Sequence, residues 1–262
     1  MTAYRSKPVD QQGYVDWSEE EAQTWSHLVS RQMAQLPQSA CAAYLDGLRA
    51  LAITADHVPQ LPEINRVLHA TTGWRCEPVP ALIDFDRFFA LLADKAFPVA
   101  IFLRTPAEMD YLQEPDYFHE IFGHCAMLTH PAFAHFTHTY GVMGKQATPA
   151  MRVYLARLYW FTVEFGLVYE DDALKIYGGG ILSSSGETQY ALHSEVALRE
   201  PFSLLEVLRT PYRIDIMQPL YYCLLSLEQL YALSDAVILA QVERAMQLGL
   251  KAPLFPPKIA SA

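Results

Sequence analysis

Residues 115–124, PDYFHEIFGH, set His119 and His124 five positions apart in a mostly apolar segment, with Glu120 beside the first. Neutral imidazole is the commonest metal-ligating side chain, so the pair suggests a metal site. The spacing restricts how the backbone can build one. In the H-E-x-x-H pattern of zinc proteases the histidines are four apart and share a helix face. Here the pattern is H-E-x-x-x-H, and five positions of a regular helix advance by about 140°, which splays the rings. The two converge on one ion only with a distinct helix geometry and a third ligand from elsewhere. Gly123, just before His124, is expected to provide the backbone freedom. Glu120 neighbours His119 and is expected to point away from it, which makes it a poor third ligand.

The search for that ligand leads to residues 148–168, TPAMRVYLARLYWFTVEFGLV. They read as a helix, with Thr148 as N-cap and Pro149 at the first helical position. The half from Leu158 onward is apolar nearly all round, the mark of a buried helix, and Glu164 lies in the middle of it. A buried carboxylate must be partnered or bound to a cation. Burial alone leaves an Arg or Tyr partner open, but two histidines in need of a third ligand favour the cation. Two histidines, one carboxylate and open positions make the facial triad of non-haem Fe(II) oxygenases.

The chain has 262 residues, 52% hydrophobic and 18% charged, enough for a sizeable core. Its net charge of −10 disfavours nucleic acid and anionic membrane as partners, since both demand clustered Lys and Arg. Cys41, Cys76, Cys125 and Cys223 form no C-x-x-C pair and read as reduced thiols of a cytoplasmic protein. Cys125 adjoins His124 but reads as a small buried thiol. The N-terminus lacks the apolar stretch of a signal peptide, and no later run is long and apolar enough to span a membrane.

The pattern of elements is mainly α with a few short strands. Residues 1–16 read as a flexible arm and 17–262 as a single catalytic domain. Ser18 and Glu21 form a capping box that starts a helix reaching about Leu36. A second helix, 40–52, carries Tyr44, Leu48 and Leu51 on one face. Pro62 opens a third, which Gly73 ends. A Pro-rich loop leads to a helix capped by Asp84 or Asp86. Residues 98–105 read as a strand ending in Arg104, whose guanidinium suits either a carboxylate ligand or an acid such as Asp110. Asp116 is placed to orient a ligand ring or to pair with Arg104. His130, His135 and His138 belong to the next helix in polar or packing roles. Gly178–Gly180 reads as the turn of a hairpin. The remainder, from 209, is irregular and then helical, interrupted near Ser234.

Three motifs now carry a resemblance: HEIFGH, then YWFTVEFGL some forty residues later, then YGGGILSSSGE. In this order and spacing they resemble the pterin-dependent aromatic amino acid hydroxylases, in particular the bacterial phenylalanine 4-hydroxylases. The likeness runs from about Tyr14 to the C-terminal LFPPK. It implies the single-domain catalytic fold of that family. It also implies conversion of L-phenylalanine to L-tyrosine, in phenylalanine catabolism, with Fe(II), O2 and tetrahydrobiopterin or a related tetrahydropterin. By the same resemblance His119, His124 and Glu164 hold the iron, with Tyr159 close to it. Arg104 grips the substrate carboxylate beside Pro115 and Asp116. Trp160 walls the substrate ring, and Ser183 supports His119 near the substrate. Phe88 stacks on the pterin, in a pocket lined by Val79, Leu82, Ile83 and Glu120. Taken alone, Phe88, Tyr159 and Trp160 would pass for core aromatics.

Trp160 matches the phenylalanine and tyrosine hydroxylases, where tryptophan hydroxylases tend to carry Phe. Two departures bear on substrate range: Ala126 stands where the family usually has Pro, and Ser185 where Pro or Phe is common. Tryptophan, or another ring position of phenylalanine, is therefore the alternative. More remote are a zinc hydrolase with Glu120 as base and a catalytically silent metal- or pterin-binding protein. The chain has no room for the regulatory domain and tetramerising helix of animal members, so a monomer is expected.

Overall fold

The capping box opens the first helix as its sequence predicts. Ser18 accepts the N–H of Glu21, and Glu21 reaches back to the N–H of Ser18. That helix, Glu19–Met33, buries Trp25, Leu28 and Val29, and a separate turn of helix at Leu36–Ser39 follows it. Ala42–Ala50 comes next, with Tyr44, Leu48 and Leu51 all buried. Leu61–Thr71 carries Pro62 in its first turn, and Gly73 follows it at φ +76°. The structure is a computed structural model that describes residues 4–110, 112 and 114–257.

The Pro-rich segment after Gly73 is not all loop. Arg75–Val79 forms strand β1, which pairs in parallel with β2, Ala96–Ala100. The helix Phe85–Ala93, capped by Asp84 through the N–H of Arg87, connects them. The strand expected over 98–105 therefore sits earlier, because β1 offers partners only as far as Ala100. Beyond it the chain runs on without a ladder to Arg104.

A four-stranded sheet has the order β4-β3-β6-β5, from β3 (Leu167–Glu170), β4 (Ala173–Ile176), β5 (Leu198–Pro201) and β6 (Leu220–Leu224). Its one antiparallel pairing is the β3–β4 hairpin. The hairpin turns at Asp171 and Asp172, both at positive φ (49° and 60°), the signature of a two-residue type I′ turn. The separate hairpin expected across Gly178–Gly180 does not form: β4 ends at Ile176, and the glycine run begins the short helix Gly179–Leu182. The glycines are needed for close approach. A Cβ on Gly178 would lie 2.4 Å from the carbonyl oxygen of Glu164.

Residues 4–16, expected as a flexible arm, lie against the domain. Tyr4 stacks on Phe102 at 4.8 Å. Lys7 donates its N–H to Ile101 at 2.7 Å. The Ser6 hydroxyl donates to the Val79 carbonyl at the end of β1. Residues 1–3, and Lys258 of the LFPPK motif, lie outside the described residues. The chain closes with the helix Asp235–Leu248, capped by Ser234 where the interruption was expected. One large cluster of buried side chains, including Trp25, Trp74, Phe97, Phe122 and Tyr177, runs through the helices and the larger sheet. Among the described residues no helix is long and apolar enough to cross a membrane.

Candidate active site

His119–Cys125 is a π-helix. Its i→i+5 hydrogen bonding sets residues five apart nearly one above the other. The rings of His119 and His124 therefore come together, with centroids 4.7 Å apart. This is the distinct geometry that the five-residue spacing demanded. Gly123 does not provide it through unusual φ, for it is not among the positive-φ glycines. Its role is proximity: a Cβ there would sit 2.7 Å from the carbonyl oxygen of Gly179.

A second π-turn supplies the carboxylate. The helix Pro149–Tyr159, capped by Thr148, passes into a π segment at Trp160–Glu164, which the bond from Phe165 N–H to the Trp160 carbonyl closes at 2.8 Å. The helix expected to reach 168 thus stops here, because Leu167 begins β3 and pairs with β4 and β6.

The Nε2 atoms of His119 and His124 lie 3.0 Å apart. The Glu164 carboxylate is 3.6 Å from the first and 3.3 Å from the second. Two ligand atoms at about 2.1 Å from a common ion, subtending about 90° to 120°, are about 3.0 to 3.6 Å apart, so the three donors can share one cation. The tautomer of His119 follows from its partner. Ser183 Oγ donates to the Gly179 carbonyl at 2.9 Å, so at its 2.9 Å contact with His119 Nδ1 it accepts. Nδ1 then carries the proton, and Nε2 turns a bare lone pair to the other two donors. Burial pulls the His119 pKa down to about 4, with the nearby His124 and Arg104 adding to the shift against Glu164 and Asp116. Burial raises Glu164, but His124, His119 and the Gly180 N–H outweigh it and bring it below the usual carboxylate range.

Two charged groups flank this point. Asp116 is wholly buried and receives Arg104 Nε and Nη2 at 2.9 Å each, along with the backbone N–H groups of Arg104 and His119 at 3.0 Å. Arg104 is thus paired with Asp116, whereas Asp110 pairs with Arg31. Glu120, expected to point away, has a carboxylate oxygen within 4.8 Å of donor atoms on both histidines. On the wider turn of the π-helix the residue after His119 stays close to the histidine pair. Burial, then Glu164 and Asp116, push its pKa well above the usual range.

Aromatic side chains make the walls. Phe88 meets Tyr159 edge to face at 5.4 Å. Trp160 lies between Phe165 and Tyr212, each with its centroid 4.4 Å away. The Trp160 indole N–H donates to Gln218 at 3.0 Å, and Gln218 donates its own N–H to the buried Glu187 at 3.1 Å.

Residues 1–247 match the family described as biopterin-dependent aromatic amino acid hydroxylase. The chain belongs to that family. It is 64% identical over 258 residues to the phenylalanine-4-hydroxylase of Vibrio cholerae, covering 98% of this chain and 89% of the relative. The solved apo structure of the cold-active phenylalanine hydroxylase from Colwellia psychrerythraea superposes with a TM-score of 0.95 at 52% identity, covering 98% of this chain and all of the other. A Chromobacterium violaceum phenylalanine hydroxylase solved with bound oxidised Fe(III) gives 0.87 at 39% identity, covering 95% of this chain and 94% of that one.

For this hydroxylase family member, two imidazoles and one carboxylate, arranged on one side of a common point, suit a non-haem iron. The fold brings His119, His124 and Glu164 to that point, with Ser183 behind His119 and Arg104, Asp116 and Glu120 close by. Pro115 precedes Asp116 and is half-buried. Phe88 and Tyr159 share one wall. The three loop residues are more scattered: Val79 packs with Leu91 and Ala96 in a small separate cluster, Ile83 lies against it, and Leu82 is 61% exposed. Sequence reasoning missed Gln218 and Tyr212, which lie more than fifty residues from Trp160 and carry no motif.

Proposed function

We propose that this chain hydroxylates L-phenylalanine to L-tyrosine in phenylalanine catabolism, with Fe(II) held by His119, His124 and Glu164. The observation that carries the reading is the three-donor cluster, with separations of 3.0, 3.3 and 3.6 Å, built on two π-helical turns. Iron and a tetrahydropterin such as tetrahydrobiopterin supply the activation of O2, one oxygen atom going to the ring and the other to the pterin. The side chains bind and orient. Arg104, fixed on one side by Asp116, has Nη1 without a hydrogen bond among the described residues and holds the substrate carboxylate. Trp160, braced by Tyr212 and Gln218, walls the substrate ring, and Pro115 borders the same pocket. Phe88 offers an aromatic face to the pterin, with Val79, Leu82, Ile83 and Glu120 completing that pocket. Tyr159, edge to face with Phe88, lies close to the iron.

We read residues 17–262 as one catalytic domain acting as a monomer in the cytoplasm. Four free, buried cysteines agree with that compartment. The test is turnover by Fe(II)-loaded protein with O2, a tetrahydropterin and, separately, phenylalanine, tryptophan or tyrosine. Para-tyrosine from phenylalanine, lost in His119→Ala and Glu164→Ala, is expected. A meta-hydroxylated or hydroxytryptophan product would overturn the substrate assignment, and pterin oxidation with no hydroxylated ring would overturn the activity.

A further inference from the structure

A cleft of about 240 Å3 lies where three helix and strand ends meet. Trp74, just ahead of β1, and Lys95, just ahead of β2, line it, together with His135 and His138 from the opening turns of the Pro131–Gln146 helix and with Tyr231. None of the residues placed at the iron, the substrate or the pterin lines it.

Two polar atoms of these residues are left over. Trp74 is wholly buried, and its indole Nε1 has no hydrogen-bond partner among the described residues. The same is true of His138 Nδ1. An indole N–H can only donate, and a buried donor left unmatched costs about 1–3 kcal/mol. Trp74 therefore calls for an acceptor from outside the chain.

The charge of the cleft decides which kind. Lys95 has no carboxylate partner among the described residues, and none of the cleft's lining residues is Asp or Glu. The Lys95 ammonium touches only the Thr72 carbonyl, at 3.5 Å, which offsets the negative end of the Leu61–Thr71 helix. From the other side the 16-residue Pro131–Gln146 helix presents its first turn, where backbone dipoles favour negative charge. The His135 ring is occupied, stacked on Tyr231 at 5.1 Å, whereas His138 is not. At about 30 Å3 per water molecule the cleft holds about eight, room for an ion of a few heavy atoms and no more.

We propose that this cleft binds a small oxyanion, a carboxylate or a phosphate, whose oxygens accept from Trp74 Nε1 and the Lys95 ammonium beside His138. The site is separate from the iron centre. Its occupant joins the end of the Leu61–Thr71 helix, the β1–β2 pair and the Pro131–Gln146 helix, and so stabilises the folded chain by mass action.

Indole N–H resonances of the 15N-labelled full chain test this with sodium acetate, sodium phosphate and, at equal ionic strength, sodium chloride. The signal missing from Trp74→Phe is that of Trp74. It should move saturably with acetate or phosphate and not with chloride, and the tighter of the two identifies a carboxylate or a phosphate as the ligand. Lys95 is exposed, so Lys95→Glu keeps the fold, and it should weaken binding by about tenfold or more. Thermal unfolding gives a second reading, which decides the matter even if Trp74→Phe fails to fold: the anion should raise the Tm of the wild type and not that of Lys95→Glu. A Trp74 signal that stays in place with both anions, or a Tm that rises equally in Lys95→Glu, would overturn the proposal.

Discussion

Arg104 and Asp116 meet through two parallel 2.9 Å hydrogen bonds, both residues buried, and the same carboxylate holds the N–H of His119. One acid thus orients the proposed substrate anchor and starts the π-helix that carries two donors. Removing it in Asp116→Ala strands a buried guanidinium, which should cost about 3–5 kcal/mol of stability in urea unfolding. The KM for phenylalanine should rise as well. A loss below about 1 kcal/mol would mean that Arg104 finds another partner and that the pair is dispensable.

Ser183 fixes the tautomer of His119. Ser183→Ala should leave the fold intact and weaken Fe(II) binding by about 10–100-fold, the usual effect of losing a partner behind a ligating histidine. Competition with a coloured chelator measures it. Unchanged affinity would show that the π-helix alone aims the ring.

Gly179 touches the other histidine. A Cβ there would lie 2.4 Å from both Cε1 and Nδ1 of His124, and the ring has no room to retreat in the core. Gly179→Ala should therefore lose most of its iron binding. Gly186→Ala is the control, since its Cβ would meet only the end of the Met217 side chain, at 3.0 Å. Equal metal content in the two purified variants would refute the role of Gly179.

Glu187 gives a pH dependence. Burial raises its pKa, against the stabilising bonds from the Tyr221 hydroxyl and the Gln218 N–H. A carboxyl with a raised folded pKa contributes stability below its unfolded pKa of about 4.3, and that stability is lost as pH rises through the folded value. Glu187→Gln keeps an oxygen for both donors and removes the buried charge. Its Tm should equal or exceed that of wild type at neutral pH, with the difference shrinking as pH falls towards 4.5. A difference that grows on acidification would reverse the sign and sink the argument.

Local signals were read best where the chemistry itself is local. The Ser18–Glu21 capping box, the Thr148 cap, Pro62 and Gly73 all act within one turn of chain. The strands were harder to read. β1 is too polar to announce itself, and its existence depends on β2, twenty residues on. A hairpin turn was assigned to Gly178–Gly180 because glycine is the usual residue for positive φ, yet the hairpin lies earlier and Asp171 and Asp172 adopt that φ. The segment 4–16 looked loose because its anchors, the carbonyls of Val79 and Ile101 and the ring of Phe102, lie more than seventy residues away.

The sequence by itself determined that His119 and His124 could share an ion only outside regular α-helical geometry, and that Glu164 needed a partner in an apolar setting. Both follow from helix periodicity and the cost of burying charge, which need no coordinates. Only the tertiary structure decided which glycines give way to which rings, that Asp116 and not Asp110 takes Arg104, and that Glu120 turns towards the histidines. These depend on approaches of a few ångströms between segments far apart in the chain, and neither composition nor spacing encodes that distance.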